Sequence, residues 1–179
     1  NIFVAAAKRL VNGVVGIDAE AGPSEIAVIA DEHANAEYVA LDLISQAEHD
    51  EQAASVLITD SEAFARRVDE LVEQHSTSTL NAERARSALG GAQSGIVLVS
   101  DMDAAVAVAD AYAPEHLEVH TANARELAER VTNAGAIFVG PYSPVPLGDY
   151  AAGSNHVLPT SGTCLLYTSD AADERSRVD

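Results

Sequence analysis

The sequence predicts an α/β fold, a parallel or mixed sheet flanked by helices, and two observations carry that expectation. Short β-branched or apolar runs recur along the chain and alternate with stretches of helical character. Small polar residues that can cap a helix stand directly after or between those runs. Strands alternating with helices of roughly 10–15 residues are the pattern of parallel or mixed sheets.

The elements follow in order. Residues 2–11 read as helix, stopped near Gly13. EIAVIA at 25–30 is a compact strand, and 36 to about 54 has the length of a helix. SVLIT at 55–59 is the second strand. Asp60 or Ser61 then caps a helix running to about His75, because a short side-chain oxygen can accept from the exposed amides of a first turn. A short helix over 84–89 precedes a third strand, GIVLVS at 95–100. Asp101 caps a helix over about 103–111, and 117–120 is a short strand. Asn123 caps a helix to about Val131, and AIFV at 136–139 is a further strand. From 140 to 163 the chain is rich in Gly, Pro, Ser and Asn and reads as a long ordered loop, the kind of segment that often carries function. Residues 164–179 (CLLYTSDAADERSRVD) lose the preceding character and read as a non-native, vector- or adapter-derived tail. The chain opens on Asn1 rather than Met and is expected to be a piece of a longer protein.

Composition narrows the function classes. Apolar residues make up 47%, which suits a packed core rather than a disordered chain. No stretch approaches the ~18 uncharged apolar residues of a membrane helix, and no signal peptide is visible. The single cysteine, Cys164, excludes an internal disulfide and a multi-cysteine zinc site, in keeping with a cytoplasmic protein. The 28 acids outnumber 10 bases, and a formal charge of −18 disfavours nucleic acid and anionic membrane as partners. An acid-rich, lysine-poor, Ala-rich chain is also the expectation for a salt-adapted host.

Four segments can carry chemistry. In Ser45-Gln46-Ala47-Glu48-His49-Asp50, Gln46 and His49 are three apart inside an expected helix, so they share a face and can hold one cation; the bland alternative is a solvated polar face. In Ala113-Pro114-Glu115-His116, proline ends the helix and biases Ala113 toward extended backbone. Glu115 and His116 then sit at a turn opening into a strand, where a carboxylate and an imidazole can divide base and acid roles. The loop Gly148-Asp149-Tyr150-Ala151-Ala152-Gly153-Ser154-Asn155-His156 offers a hard oxygen and an imidazole among glycines that allow close approach. Ala21-Gly22-Pro23-Ser24-Glu25 is a turn presenting Ser24, suited to a polar substrate group. His33, His75 and His120 read as surface or loop residues. Neither phosphate-binding glycine fingerprint is present. Metal ligands, an acid/base pair and a substrate loop without a nucleophile point to metal-assisted proton or hydride chemistry. A metal-dependent hydrolase using Glu115 or His116 to activate water, and a noncatalytic acidic binding domain, are the other readings.

Five ordered runs resemble one family: VGIDAEAGPSE at 15–25, LISQAEHDEQA at 43–53, APEHLE at 113–118, NAGAIFVG at 133–140 and LGDYAAGSNHVLPTSGT at 147–163 are similar to histidinol dehydrogenase. The resemblance implies oxidation of L-histidinol to L-histidine by way of the aldehyde, with two NAD⁺ reduced, on an incomplete Rossmann-like, aldehyde-dehydrogenase-like sheet. It implies that Gln46, His49 and Asp149 are zinc ligands, with a fourth, a histidine, supplied across a homodimer by a later segment. Glu115 matches the residue that activates water and His116 the general acid/base. Ser24 and His156 match substrate-binding positions, to which Gln46, His49, Glu115 and Asp149 also belong, and Asn1 matches an asparagine near the cofactor. Residues 1–163 are then part of the catalytic region, and these 179 residues alone are expected to be inactive.

Overall fold

A computed structural model of the chain describes residues 2–17, 22–153 and 158–162; of Ile2 and Asp149 only the backbone is described. Five parallel strands form one sheet in the order β3-β2-β1-β4-β5. They are β1 (Glu25–Ala30), β2 (Ala54–Thr59), β3 (Gly95–Leu98), β4 (His116–His120) and β5 (Ala136–Val139). Each expected strand is found, and the sheet is parallel throughout. The helices are α1 (Ile2–Val11), α2 (Ala36–Ala47), α3 (Glu62–Ser76), α4 (Ala82–Leu89), α5 (Met102–Tyr112), α6 (Ala124–Ala128) and α7 (Val145–Tyr150).

The central strand β1 is buried at all six positions, and β4 beside it at all five, which is why both read as continuous rather than alternating runs. Two cores follow, one on each sheet face. Ile26, Val28 and Ala30 of β1 pack with Val39, Leu43, Phe64, Val68 and Leu71 of α2 and α3. Ala27 and Ile29 pack with Ala105, Val106, Ala109, Leu117, Val119 and Leu127 on the other face. Among the described residues no helix is long and apolar enough to cross a membrane.

Caps behave as expected at two of three sites. Ser61 Oγ accepts from Phe64 N at 3.2 Å, and Asp101 Oδ1 accepts from Ala104 N at 2.8 Å. Asn123 makes no side-chain cap bond, and α6 has only five residues. Residues 129–131, expected to continue it, turn instead, with Arg130 N donating to Leu127 O and Val131 N to Ala128 O, and Asp110 Oδ1 then accepts from Thr132 N and Asn133 N.

Three local expectations are corrected. The helix expected over 36–54 ends at Ala47, because Asp50 Oδ1 accepts from Gln52 N at 2.8 Å and turns the chain into β2. Ala113 is not extended: it is the left-handed C-cap of α5 (φ 52°, ψ 60°), its N–H donating to Ala109 O at 2.7 Å. Burial on all sides and that bond hold an alanine where glycine is usual. The expected loop at 140–163 contains α7, begun after Pro144 with Pro146 in its first turn, where a missing N–H costs nothing.

Candidate active site

β1 and β4 are neighbours, and their first residues sit at one edge of the sheet. Ile26 is the register partner of His116, so the Gly-Pro turn before β1 and the Pro114 turn before β4 meet there. Ser24 Oγ donates to Glu115 Oε2 at 2.8 Å, and Glu25 N donates to the same oxygen at 3.2 Å. His116 is buried, with Nδ1 3.1 Å from Glu25 O and 3.6 Å from Glu115 Oε2. A carbonyl can only accept, so Nδ1 carries a proton in this contact.

The edge is braced from two directions. Thr160 Oγ1 accepts from Gly22 N at 2.6 Å, and Glu25 Oε1 accepts from Ser161 N at 2.9 Å. Gly135 N donates to Pro114 O and Ala136 N to Glu115 O, both at 2.9 Å. A Cβ on Gly135 would lie 2.5 Å from Glu115 O, so only glycine lets that backbone come so close. Burial raises the Glu25 carboxyl above its usual value; the Ser161 and Glu115 amides oppose the shift and the Glu115 charge adds to it. Burial, then the nearby Glu25 charge, pushes the Tyr112 phenol upward too.

The C-terminal half of α2 lines a cavity of about 260 Å³ with Ile26, Glu118 and α7. Gln46 and His49 both line it, and His49 lies in the turn after α2 rather than inside the expected helix, its N–H donating to Gln46 O at 3.1 Å. Val145, Pro146 and Tyr150 form the α7 wall. Asp149 is on that helix, but its side chain lies outside the described residues, as do Asn1 and His156. Ser24, Glu115 and His116 do not line this cavity. Phe138 links the two groups: its ring centroid is 6.1 Å from that of His116, and a Cβ on Gly148 of α7 would lie 2.5 Å from its ring.

His33 is exposed and His75 half-buried in the last turn of α3, in keeping with surface positions. His120 is not a surface or loop residue: it ends β4, 4% exposed, with Nε2 3.3 Å from Glu118 Oε2. Asp42 of α2 completes a cluster with them. Its carboxyl is pushed up to about 8, by burial first and then by the Glu118 charge and a hydrogen bond with Glu118. The alternation His116, Glu118, His120 puts all three on one face of β4. That spacing was legible; their burial beneath α2 and α7 was not, because it depends on β4 lying next to β1.

A zinc ion suits this setting. Gln46 is 7% exposed and lines this cavity, and His49 stands on the same wall. An amide oxygen and an imidazole are acceptable zinc donors, though the amide is uncommon.

The family model described as histidinol dehydrogenase matches residues 1–170. The chain belongs to the histidinol dehydrogenase family. It is 70% identical over 163 residues to the histidinol dehydrogenase of Corynebacterium efficiens, covering 91% of this chain and 36% of that protein. It is 60% identical over 169 residues to that of Mycobacterium bovis, covering 94% and 38%. The chain therefore spans somewhat over a third of the length of the curated relatives it matches. A crystal structure of histidinol dehydrogenase from Elizabethkingia anophelis superposes with a TM-score of 0.86 at 39% identity, covering 92% of this chain and 38% of that one. A C269A mutant of propionaldehyde dehydrogenase from Clostridium phytofermentans gives 0.51 at 19% identity, over 90% and 49%. That second likeness concerns the fold alone, and it matches the aldehyde-dehydrogenase-like sheet expected from the sequence.

Proposed function

We propose that the whole protein carrying these residues is a zinc- and NAD-dependent oxidoreductase of histidine biosynthesis. It oxidises L-histidinol to L-histidine by way of L-histidinal, reducing two NAD⁺. The observation that supports this most is the Ser24–Glu115–His116 network at the edge of a sheet whose neighbouring cavity is lined by Gln46 and His49.

His116 acts as general acid/base. With Nδ1–H directed at Glu25 O, Nε2 is the nitrogen suited to take the hydroxyl proton of the alcohol. Glu115 activates water for the aldehyde step; its Oε2 already accepts two hydrogen bonds, which orient the carboxylate. Ser24 holds Glu115 and binds substrate together with His156. Gln46, His49 and Asp149 are the zinc ligands, with a further histidine from the partner of a homodimer. Zinc, when bound, orients the imidazole and amine of the substrate. NAD, when bound, accepts the hydride. Asn1 is the cofactor-side candidate, and no group among the described residues is assigned to NAD.

These residues make up 36–38% of the relatives' length, so turnover is assigned to the whole protein and the 179 residues alone are expected to be inactive. Residues 1–163 are read as catalytic region and 164–179 as a non-native tail. We place the protein in the cytoplasm, with no nucleic-acid or membrane partner, in keeping with its charge of −18. The test is metal dependence of the whole protein. Chelation should abolish histidinol-dependent NADH formation and stoichiometric zinc should restore it. Undiminished activity in the chelated, metal-free protein would remove zinc from the account.

A further inference from the structure

Asp42, Glu118 and His120 are not among the zinc ligands proposed above. One ligand atom from each lies within 4.8 Å of the others. Glu118 is fully buried and His120 is 4% exposed. Among the described residues, the ring nitrogens of His120 and Glu118 Oε2 accept or donate no well-aligned hydrogen bond, and His120 Nε2 and Glu118 Oε2 face each other directly. Leaving such atoms unsatisfied in a protein interior costs roughly 1–3 kcal/mol each, more for charged groups, so a native arrangement of this kind calls for a ligand.

We infer that Asp42, Glu118 and His120 form a second divalent-cation site, at the inner end of the cavity that Gln46 and His49 line.

The geometry suits one ion. Val145 N donates to Glu118 Oε1 at 3.1 Å, which ties down one carboxylate oxygen and leaves Oε2 toward His120. Glu118 Oε2 and His120 Nε2 are 3.3 Å apart. Two ligands bound at roughly 2.0–2.2 Å to a shared ion sit about 3.0–3.5 Å from one another. The charge also suits a cation. Two carboxylates face each other in a buried setting, and among the described residues no Lys or Arg lines the cavity. Entry is available, since Asp42 and Glu118 both line the cavity wall. One imidazole and two carboxylates make a donor set for zinc, cobalt or manganese rather than for calcium, which takes oxygen alone.

This site does not depend on the zinc reading, and the experiment separates the two. The whole protein is stripped of metal and titrated with Co²⁺, following visible ligand-field absorption and bound metal per chain. The wild type is expected to bind two equivalents, Gln46→Ala one and His120→Gln one. A single equivalent abolished by His120→Gln but kept by Gln46→Ala supports the inner site and removes the outer one. An unchanged count in His120→Gln overturns the inference, as does a single wild-type equivalent lost on Gln46→Ala; a shared proton then neutralises the carboxylates. Should His120→Gln fail to fold, wild-type protein with ¹⁵N-labelled histidine decides. Paramagnetic shift or loss of the His120 ring signals with Co²⁺ supports the site, and unperturbed signals contradict it.

Discussion

Ser24 Oγ and Glu115 Oε2 lie 2.8 Å apart although 91 positions separate the residues. Their meeting follows from the strand order. β4 returns to the free side of β1 after the chain has built β2 and β3 on the other side, and this brings the turns before both strands together. Parallel α/β sheets usually bind ligands beyond the carboxyl ends of their strands. Here the Ser24–Glu115–His116 network stands at the amino ends of β1 and β4, the opposite end from the one that rule picks.

Ser24→Ala removes one of the two donors to Glu115 and leaves Glu25 N in place. A hydrogen bond to a charged group contributes about 2 kcal/mol, so kcat/KM should drop by roughly tenfold or more. Steady-state kinetics on the whole protein check this. A variant as active as wild type would mean that the hydroxyl does not orient Glu115 during turnover.

His116→Asn can still donate to Glu25 O but has no basic nitrogen. Loss of general acid/base catalysis costs about 10²–10⁴ in kcat, and substrate binding should change far less. Kinetics with histidinol would show the split. A rise in KM at normal kcat would make His116 a binding residue instead.

Gly135→Ala places a methyl 2.5 Å from Glu115 O and must push the two backbones apart. Overpacking of this kind costs about 1–3 kcal/mol. Gly95→Ala, with nothing within 4 Å of its Cβ, is the control. Chemical denaturation should show the loss in the first variant only, and equal stabilities would contradict the close approach.

Stability of the metal-free protein should depend on Asp42. Its folded carboxyl is pushed up to about 8 from a usual 3.8, so the folded state keeps a proton that the unfolded chain releases. That stabilisation is complete below roughly pH 4 and lost as pH rises through about 8. Glu25 shifts in the same direction and adds to the slope. Denaturation midpoints should therefore fall more steeply over that window in wild type than in Asp42→Asn. Parallel profiles would show that Asp42 is not protonated in the fold.

Much of the fold is legible in the sequence. The strands are bounded by Gly, Pro, Asp and Ser, and EIAVIA, buried at every position, needs no alternation to be recognised. The position of Glu115 and His116 at a turn opening into β4 was legible because Pro114 ends the helix before it. The end of α2 was not: AEHDEQA carries helix-compatible residues, and only the Asp50 turn ends the run. α7 was hidden by Pro146 and Gly148, residues poor for helices, which are accommodated by a first-turn position and by the Phe138 ring. The Asp42–Glu118–His120 cluster was invisible because two of its members lie on β4 and the third on α2. Only the adjacency of β1 and β4 beneath that helix joins them.

The most direct test of the central claim is the stoichiometry of NADH formed per L-histidinol consumed by the whole protein, with histidine identified as product. The account predicts two NADH per histidinol, with both oxidations lost on chelation and the first blocked in His116→Asn. Absence of NADH, or one equivalent with histidinal as the end product, would contradict it.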